Sequence, residues 1–339
     1  MAILRKSVQS YTIFCIFANI SVNLCDFFCN MKKIVPYIAI VLAMLIWAGS
    51  GIAVQHSLLF LRPFTLIVLR FTIAVLLMLA VGLIARGSDL LSLQAMRKQD
   101  IPLFLLAGIL QPVLYFIFET YCYRSLASPT IAEAMLSTAP LIAPFLAFAI
   151  LRERVTKYNI IGIIISSIGM FMLVLVGSGN FELGNPIGIP LAFLAVCSAV
   201  MYTILLRKIP ERYSPLSIIF YEQITALLFF YPLWAIIEGK TCLTEGFLLT
   251  SYTPELLYAF GYLAVFSSIV AFVLFCYTVR RIGVTQANAF NNVRPVFTAL
   301  IMLAFFGEQL PIGKWLGILL VVIGLFVCQK QEKLPAEEK

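Results

Sequence analysis

The chain has 339 residues, of which 62% are hydrophobic and 12% charged, with a mean hydropathy of +1.00. Soluble globular domains carry about 25% charged residues, so this composition excludes a water-soluble core. It describes an integral membrane protein, and its long, non-alternating apolar runs are helices rather than barrel strands.

Residues 1–34 fit poorly with the rest of the chain. The stretch 11–29 is apolar but broken by Asn19, Asn23 and Asp26, too polar for a span of about 20 residues. Met31-Lys32-Lys33, directly before a clean apolar helix, looks like a natural start. The leader reads as a mis-called start or an unstructured segment, with a signal-like or interfacial segment as the other reading.

Ten candidate spans come next, at 35–56, 63–85, 101–123, 130–150, 157–177, 187–206, 216–237, 255–279, 285–306 and 312–329. Each is near the length that crosses about 30 Å of hydrocarbon. Residues 330–339 form a short tail, and nothing is left over for a soluble domain.

The stretch from Thr130 to Phe171 recurs 155 residues later. Thr130/Thr285, Ala132/Ala287, Ala134/Ala289, Pro140/Pro295, Ala149/Ala304, Glu153/Glu308, Gly162/Gly317, Ile163/Ile318, Ile168/Ile323, Gly169/Gly324 and Phe171/Phe326 are identical. A proline, a glutamate and two glycines held at one offset mark a duplication. Spans 4–5 therefore match spans 9–10, and the unit is five helices, 35–177 against 187–329.

Orientation follows from Lys and Arg. With the amino terminus cytoplasmic, eighteen of the 24 basic residues fall inside. Only Arg62, Arg124, Lys240 and Lys314 fall outside, while Arg70 and Arg294 lie within spans. This bias accounts for the net charge of +8, which is therefore topological and not a nucleic-acid face. Both termini are expected in the cytoplasm. Because five is odd, the second unit enters the membrane from the opposite side. Such inverted repeats are a hallmark of secondary transporters, with the substrate near the midplane between the halves.

Five charged residues lie inside apolar spans: Arg70, Glu119, Glu133, Glu222 and Arg294. Each costs roughly 2.5–3.5 kcal/mol or more at a helix centre facing lipid, so each should face the protein interior or water. At 1.5 Å per residue, Arg70 sits about 9 Å, and Glu119 and Glu133 about 6 Å, below the outer ends of their spans. This predicts an outer cluster from the first repeat. Glu222 and Arg294, with Asn288, Asn291 and Asn292, predict an inner cluster from the second. Substrate contact or gating is one role for these groups, with Glu119, Glu133 and Glu222 as proton carriers. Salt bridges that lock helix pairs are the other.

Trp47-Ala48-Gly49-Ser50-Gly51 sets small residues beside a large aromatic, which lets a neighbouring backbone approach closely. Tyr202 in span 6 and Tyr115 in span 3 are further cavity candidates, against the alternative of interfacial aromatic belts. Glu153 and Glu308 begin the links into the following helices and are read as structural, satisfying free helix N-terminal amides. Pro140 and Pro295 are read as scaffold too. Gly162, Ser166 and Gly169 share one face of span 5, and Gly313, Gly317 and Gly324 one face of span 10. They mark close helix contact, within the fold or at a homodimer seam.

Eight scattered cysteines without a CxxC pair, and one histidine, His56, give no metal site. There is no HExxH, GxSxG or Walker A motif and no aspartate-rich motif. No enzyme activity, cofactor or metal is expected, and transport would run on a gradient or by exchange.

These features together resemble the drug/metabolite transporter superfamily, and within it the EamA-type members. The residues that carry the resemblance are Trp47 with its small neighbours, Arg70 seven after Pro63, and the series Pro140, Glu153, Gly162, Gly169 with its copy Pro295, Glu308, Gly317, Gly324. It covers about residues 35–329 and implies ten helices in two inverted five-helix halves. It also implies a central cavity lined by spans other than 5 and 10, and export of amino acids or other small metabolites. The glutamate that small four-helix relatives carry in their first helix has no counterpart in span 1 or span 6. The phosphate-gripping lysines of sugar-phosphate relatives are absent from the spans. The reading is an all-α, multi-pass plasma-membrane exporter working by alternating access, its partners being a small-molecule substrate and the lipid bilayer. A lipid or lipid-linked-sugar flippase of the same fold is the first rival. An intramembrane enzyme or a non-transporting scaffold is the second.

Overall fold

Several helices start the same way, with a hydroxyl residue followed by proline. Ser128, Ser214 and Thr253 each accept a bond from the amide three residues on, at 3.3, 3.0 and 3.3 Å, and Pro129, Pro215 and Pro254 occupy the first helical position. The hydroxyl answers an amide without an intrahelical partner, and proline has none to answer.

The computed structural model describes residues 34–84, 91–175, 184–246, 253–307 and 310–330. The leader, the tail beyond 330 and Glu308 lie outside the described residues. The helices are α1 (Ile34–Ser57), α2 (Pro63–Ile84), α3 (Lys98–Ser125), α4 (Pro129–Leu151), α5 (Lys157–Leu175), α6 (Gly188–Lys208), α7 (Pro215–Glu245), α8 (Pro254–Ile282), α9 (Val284–Phe306) and α10 (Ile312–Cys328). Among the described residues, all but α5 and α10 are long and apolar enough to cross a membrane, eight in all. Those two are apolar but shorter.

Backbone meets backbone where α5 crosses α10. A Cβ added to Gly169 would lie 2.5 Å from the carbonyl oxygen of Gly317, and one on Gly317 would lie 2.7 Å from that of Gly169. Gly162 and Gly324 make the same reciprocal contact, so the close approach extends over two turns. Repeat equivalents pair crosswise, 162 with 324 and 169 with 317. The two helices therefore run antiparallel, as a two-fold axis perpendicular to them would arrange them. The small-residue faces meet within the fold.

α2 and α7 are joined by a second reciprocal device. Glu238, near the end of α7, accepts from the amides of Phe64 and Thr65 at the start of α2, at 2.9 and 2.7 Å. At the other end, Gln94 in the link between α2 and α3 accepts from the Ser214 amide at the start of α7, at 2.8 Å. Each helix has free amides satisfied by the opposite half. Glu153 acts in the same manner. It receives the amides of Val284 and Thr285 at the start of α9, at 3.1 and 3.0 Å. The sequence placed it at the start of the next helix, but α5 is capped by Thr156 and Asn159.

Repeat equivalence extends beyond identity. α4 ends at Arg152 and α9 at Gly307, both with left-handed backbone, φ 56° and 70°. Both helices also break midway, α4 at Ser137–Thr138 and α9 at a 3-10 turn over Phe290–Val293. α3 opens at Gln111 (φ −147°, ψ 117°), and the Leu110 carbonyl takes a 2.5 Å bond from the Ser198 hydroxyl. α8 widens into a π-helix over Leu263–Val270. Non-helical backbone at membrane depth is tolerated where protein satisfies it.

Gly317→Val should force the α5/α10 backbones apart, costing more than the 1–3 kcal/mol or so of ordinary overpacking. Thermal unfolding in detergent should fall steeply for this variant. Gly261→Ala, whose added methyl meets nothing within 4 Å, should leave it unchanged.

Candidate functional site

The site is built around one charged pair. Arg294 follows the 3-10 turn of α9, and its guanidinium reaches Glu133 of α4, 2.8 Å from Oε2 and 3.0 Å from Oε1. Glu133 is fully buried and Arg294 is 4% exposed. Tyr123 of α3 donates to the same carboxylate. Gly51 on α1 makes room for both, since a Cβ there would fall on the Glu133 carboxylate and the Tyr123 hydroxyl. The Arg294 guanidinium lies 5.7 Å from the Trp47 ring centroid. Trp47 is fixed in turn by its Nε1–H to the Ser267 carbonyl, 3.3 Å, and by Phe272 and Phe275 at 5.0 and 5.1 Å between centroids.

This geometry corrects the two-cluster expectation. Arg294 belongs with Glu133, so first-half and second-half charges meet in one place. An arginine near the middle of α9 is long enough to reach Glu133 on α4, and hydrocarbon supplies no rival partner. Arg70 does not pair with either outer glutamate. Its Nε donates to the Ser268 hydroxyl at 3.0 Å and its Nη2 to that of Ser267 at 3.2 Å, with the Phe116 ring 4.8 Å away. The π-helical stretch of α8 is what turns both serines toward it.

A cavity of about 30 Å³ lies beside the pair. A water needs roughly 10–15 Å³ on this measure, whereas small-molecule sites run to roughly 300 Å³ and above. The cavity is thus closed to a metabolite in this conformation. Of the residues singled out from sequence, Trp47, Ser50, Tyr115, Glu119, Asn288, Asn291 and Arg294 line it. Ser50 returns its hydroxyl to the Trp47 carbonyl, 2.8 Å. Tyr115 donates to Glu119 at 3.0 Å, and Asn291 donates to the Asn288 carbonyl at 3.1 Å.

Other candidates lie elsewhere. Tyr202 and Glu222 are bonded to each other at 2.8 Å behind the cavity wall. Asn292 points away to Ser166 and Ser167 of α5, at 2.6 and 3.3 Å. Thr203, beside Tyr202 in span 6, lines the cavity too, and Gln111, Ser267, Phe272 and Phe275 join the wall without having stood out in the sequence. A glutamine before a proline inside an apolar span, and the Ser267-Ser268 pair, were the available signals. The small residues after Trp47 also behave differently from expectation. Gly49 and Gly51 admit side-chain hydroxyls, Tyr262 and Tyr123, rather than a backbone.

On the lipid side of α1, a groove of about 820 Å³ runs between α1, α8 and α9, lined by Gly49, Ile52, Ala259, Tyr262, Ile301 and Phe305 among others. Tyr262 closes it from the centre, donating to the Ile46 carbonyl at 2.7 Å.

An all-helical architecture of apolar helices, enclosing a cavity with paired charges at its wall, defines a multi-pass membrane protein of the transporter class. The EamA-like transporter family matches residues 34–175 and 186–328, and the chain belongs to it. It is 26% identical to the uncharacterized transporter YetK of Bacillus subtilis (strain 168), over 91% of this chain and 92% of the relative. An uncharacterized transporter of Archaeoglobus fulgidus is 23% identical over 88% of this chain and 98% of its own. A Chlamydia muridarum S-adenosylmethionine/S-adenosylhomocysteine transporter is 25% identical over 57% of this chain and 62% of its own. A solved crystal structure shares the fold with a TM-score of 0.67 at 19% identity, covering 87% of this chain and 96% of that one.

Removing one member of a buried ion pair costs about 3–5 kcal/mol, while replacing both can be neutral. Arg294→Met alone should therefore destabilise strongly. Adding Glu133→Gln should recover most of the loss, as a double-mutant cycle of unfolding midpoints will measure.

Proposed function

We propose that this chain is a secondary-active exporter of small carboxylate-bearing metabolites such as amino acids, working by alternating access at the plasma membrane. In this reading ten helices cross the bilayer as two inverted five-helix domains, 35–177 and 187–329, with both termini cytoplasmic. The Lys/Arg distribution and the antiparallel α5/α10 contact support that topology.

The observation that carries the substrate class is Arg294. It lines the central cavity, Glu133 fixes its Nη2, and its buried Nε–H has no partner among the described residues. A buried donor left unmade costs free energy, and a substrate carboxylate would satisfy it with a charge-assisted bond. Arg70, one serine layer away, would add positive field. The chlamydial relative named for S-adenosylmethionine and S-adenosylhomocysteine, both amino-acid derivatives, fits this class. Tyr115, Glu119, Asn288 and Asn291 are the polar groups that would face the rest of the substrate. Trp47, Phe272 and Phe275 would supply the apolar wall.

Export demands that a 30 Å³ cavity widen toward each side in turn. The flippase reading would call for a lateral opening lined by arginines and aromatics. The groove beside α1 has the aromatics but, among the described residues, no arginine lines it, which favours a small soluble substrate.

Proteoliposomes loaded with a radiolabelled amino-acid panel, with and without a proton gradient, test the proposal. Efflux of at least one member should exceed that of empty liposomes, and Arg294→Lys and Arg70→Ala should each lower it by at least tenfold at unchanged expression. Full efflux in both variants would remove the cavity from the mechanism.

A further inference from the structure

Three carboxylates are sealed within the helix bundle near its centre, and each meets a different charge environment. Glu133 has Arg294 as a direct counter-ion. Glu119 lines the central cavity with Arg294 and accepts from Tyr115. Glu222 of α7 is 2% exposed and, among the described residues, makes no ion pair. Its Oε2 accepts from the Tyr202 hydroxyl at 2.8 Å, and its Oε1 has no partner among those residues.

The other groups on the elements packed around Glu222 do not supply the missing charge. On α8, Cys276 is the next ionisable group, and Arg280 lies one turn further. The Arg280 guanidinium is turned to the carbonyls of Tyr213 and Pro210, at 2.7 and 3.2 Å. α3 meets α7 through Phe104 and Gly108, and Arg70 of α2 is turned to Ser267 and Ser268. An ionised carboxylate sealed in this way, with one lone oxygen and no ion pair, is far costlier than the neutral acid. The neutral acid also accounts for the bonding. Its carbonyl oxygen would be Oε2, which accepts from Tyr202, and its hydroxyl would be Oε1.

From this geometry we infer that Glu222, held by Tyr202, is a proton-binding site separate from the substrate cavity. In the closed conformation it carries the proton. The proton leaves when α6, α7 and α8 part and water reaches Oε1, giving carboxylate and hydronium with no other reactant. A route out lies close by. A basin of about 610 Å³, lined by Ser214, Pro215, Tyr277 and Arg280, opens at the start of α7. At 1.5 Å per residue it is about 10 Å from Glu222 along the helix. The basin's arginines would stabilise the carboxylate once it is exposed. Tyr202 sits on α6 between the cavity-lining Ala199 and Thr203, so a change in cavity width moves the hydrogen-bond donor that holds the acid. That links protonation to transport, and only this link rests on the transporter reading.

Infrared difference spectroscopy on the full chain in lipid nanodiscs, stepped from neutral to alkaline pH without substrate, tests the site. The wild type should show a protonated-carboxyl band that persists at neutral pH. It should be lost in Glu222→Gln and kept in Glu119→Gln. In Tyr202→Phe it should move to higher frequency, the mark of a carbonyl that has lost its donor. An unchanged band in Glu222→Gln, or no band in the wild type, overturns the assignment. If Glu222→Gln does not fold, an unshifted band in Tyr202→Phe overturns it instead. No substrate enters this measurement, so its failure strikes the proton site alone, and failed amino-acid efflux with an intact band strikes the transporter reading alone.

Discussion

Hydrocarbon offers no hydrogen bonds, and in this chain each half supplies what the other half lacks. The amides at the start of α2 are met by Glu238 of α7, those at the start of α7 by Gln94, and those at the start of α9 by Glu153. Arg294 of the second half is met by Glu133 of the first, and Arg70 of the first by Ser267 and Ser268 of the second. In water any of these bonds could be exchanged for solvent at little cost. In a bilayer the alternative is an unsatisfied group costing several kcal/mol. The halves are therefore tied to each other by bonds that each draws from the other.

The glycine crossing fixes where motion can occur. With α5 and α10 in backbone contact over two turns, neither can rotate against the other without collision. The centre differs. α3, α4 and α9 break and α8 widens at membrane depth, and those segments carry or face the cavity-lining Gln111, Ala139, Ser267, Asn291 and Arg294. The close-packed seam thus stands beside the interrupted helices that border the cavity.

Much of this was legible in the residues. The duplicated Pro, Glu and Gly positions revealed the repeat, and the glycine faces of α5 and α10 proved to be a helix contact. Five charged positions in apolar spans marked the interior groups. What the sequence withheld was which partner each would choose. Depth along separate helices suggested that Arg70 belonged with Glu119 and Glu133, and Arg294 with Glu222. Side-chain length and helix rotation decide such pairings, and neither is visible in one dimension. Glu238 went unnoticed because it lies at a span end, where a carboxylate ordinarily meets water. Glu153 was read as a local cap because its partner is 131 residues away.

The repeat also explains why the chemistry sits off its matched positions. Two-fold related scaffolding can be identical, because each copy meets its mate: Gly162 meets Gly324 as Gly169 meets Gly317. A small cavity near such an axis holds two like charges only at high cost, since they would face each other across a few ångströms. Here the equivalent positions have diverged. Glu133 stands where the second copy has Asn288, and Ala139 where it has Arg294. The divergence gives one acid and one base, close enough to pair, and it leaves Asn288 and Ala139 to line the wall without charge. Buried like charges repel strongly at low dielectric, so pairing an anion from one copy with a cation from the other lets charge persist at the centre of the bundle. The arginine that results is only partly spent on that pairing, since its Nε–H keeps no partner among the described residues.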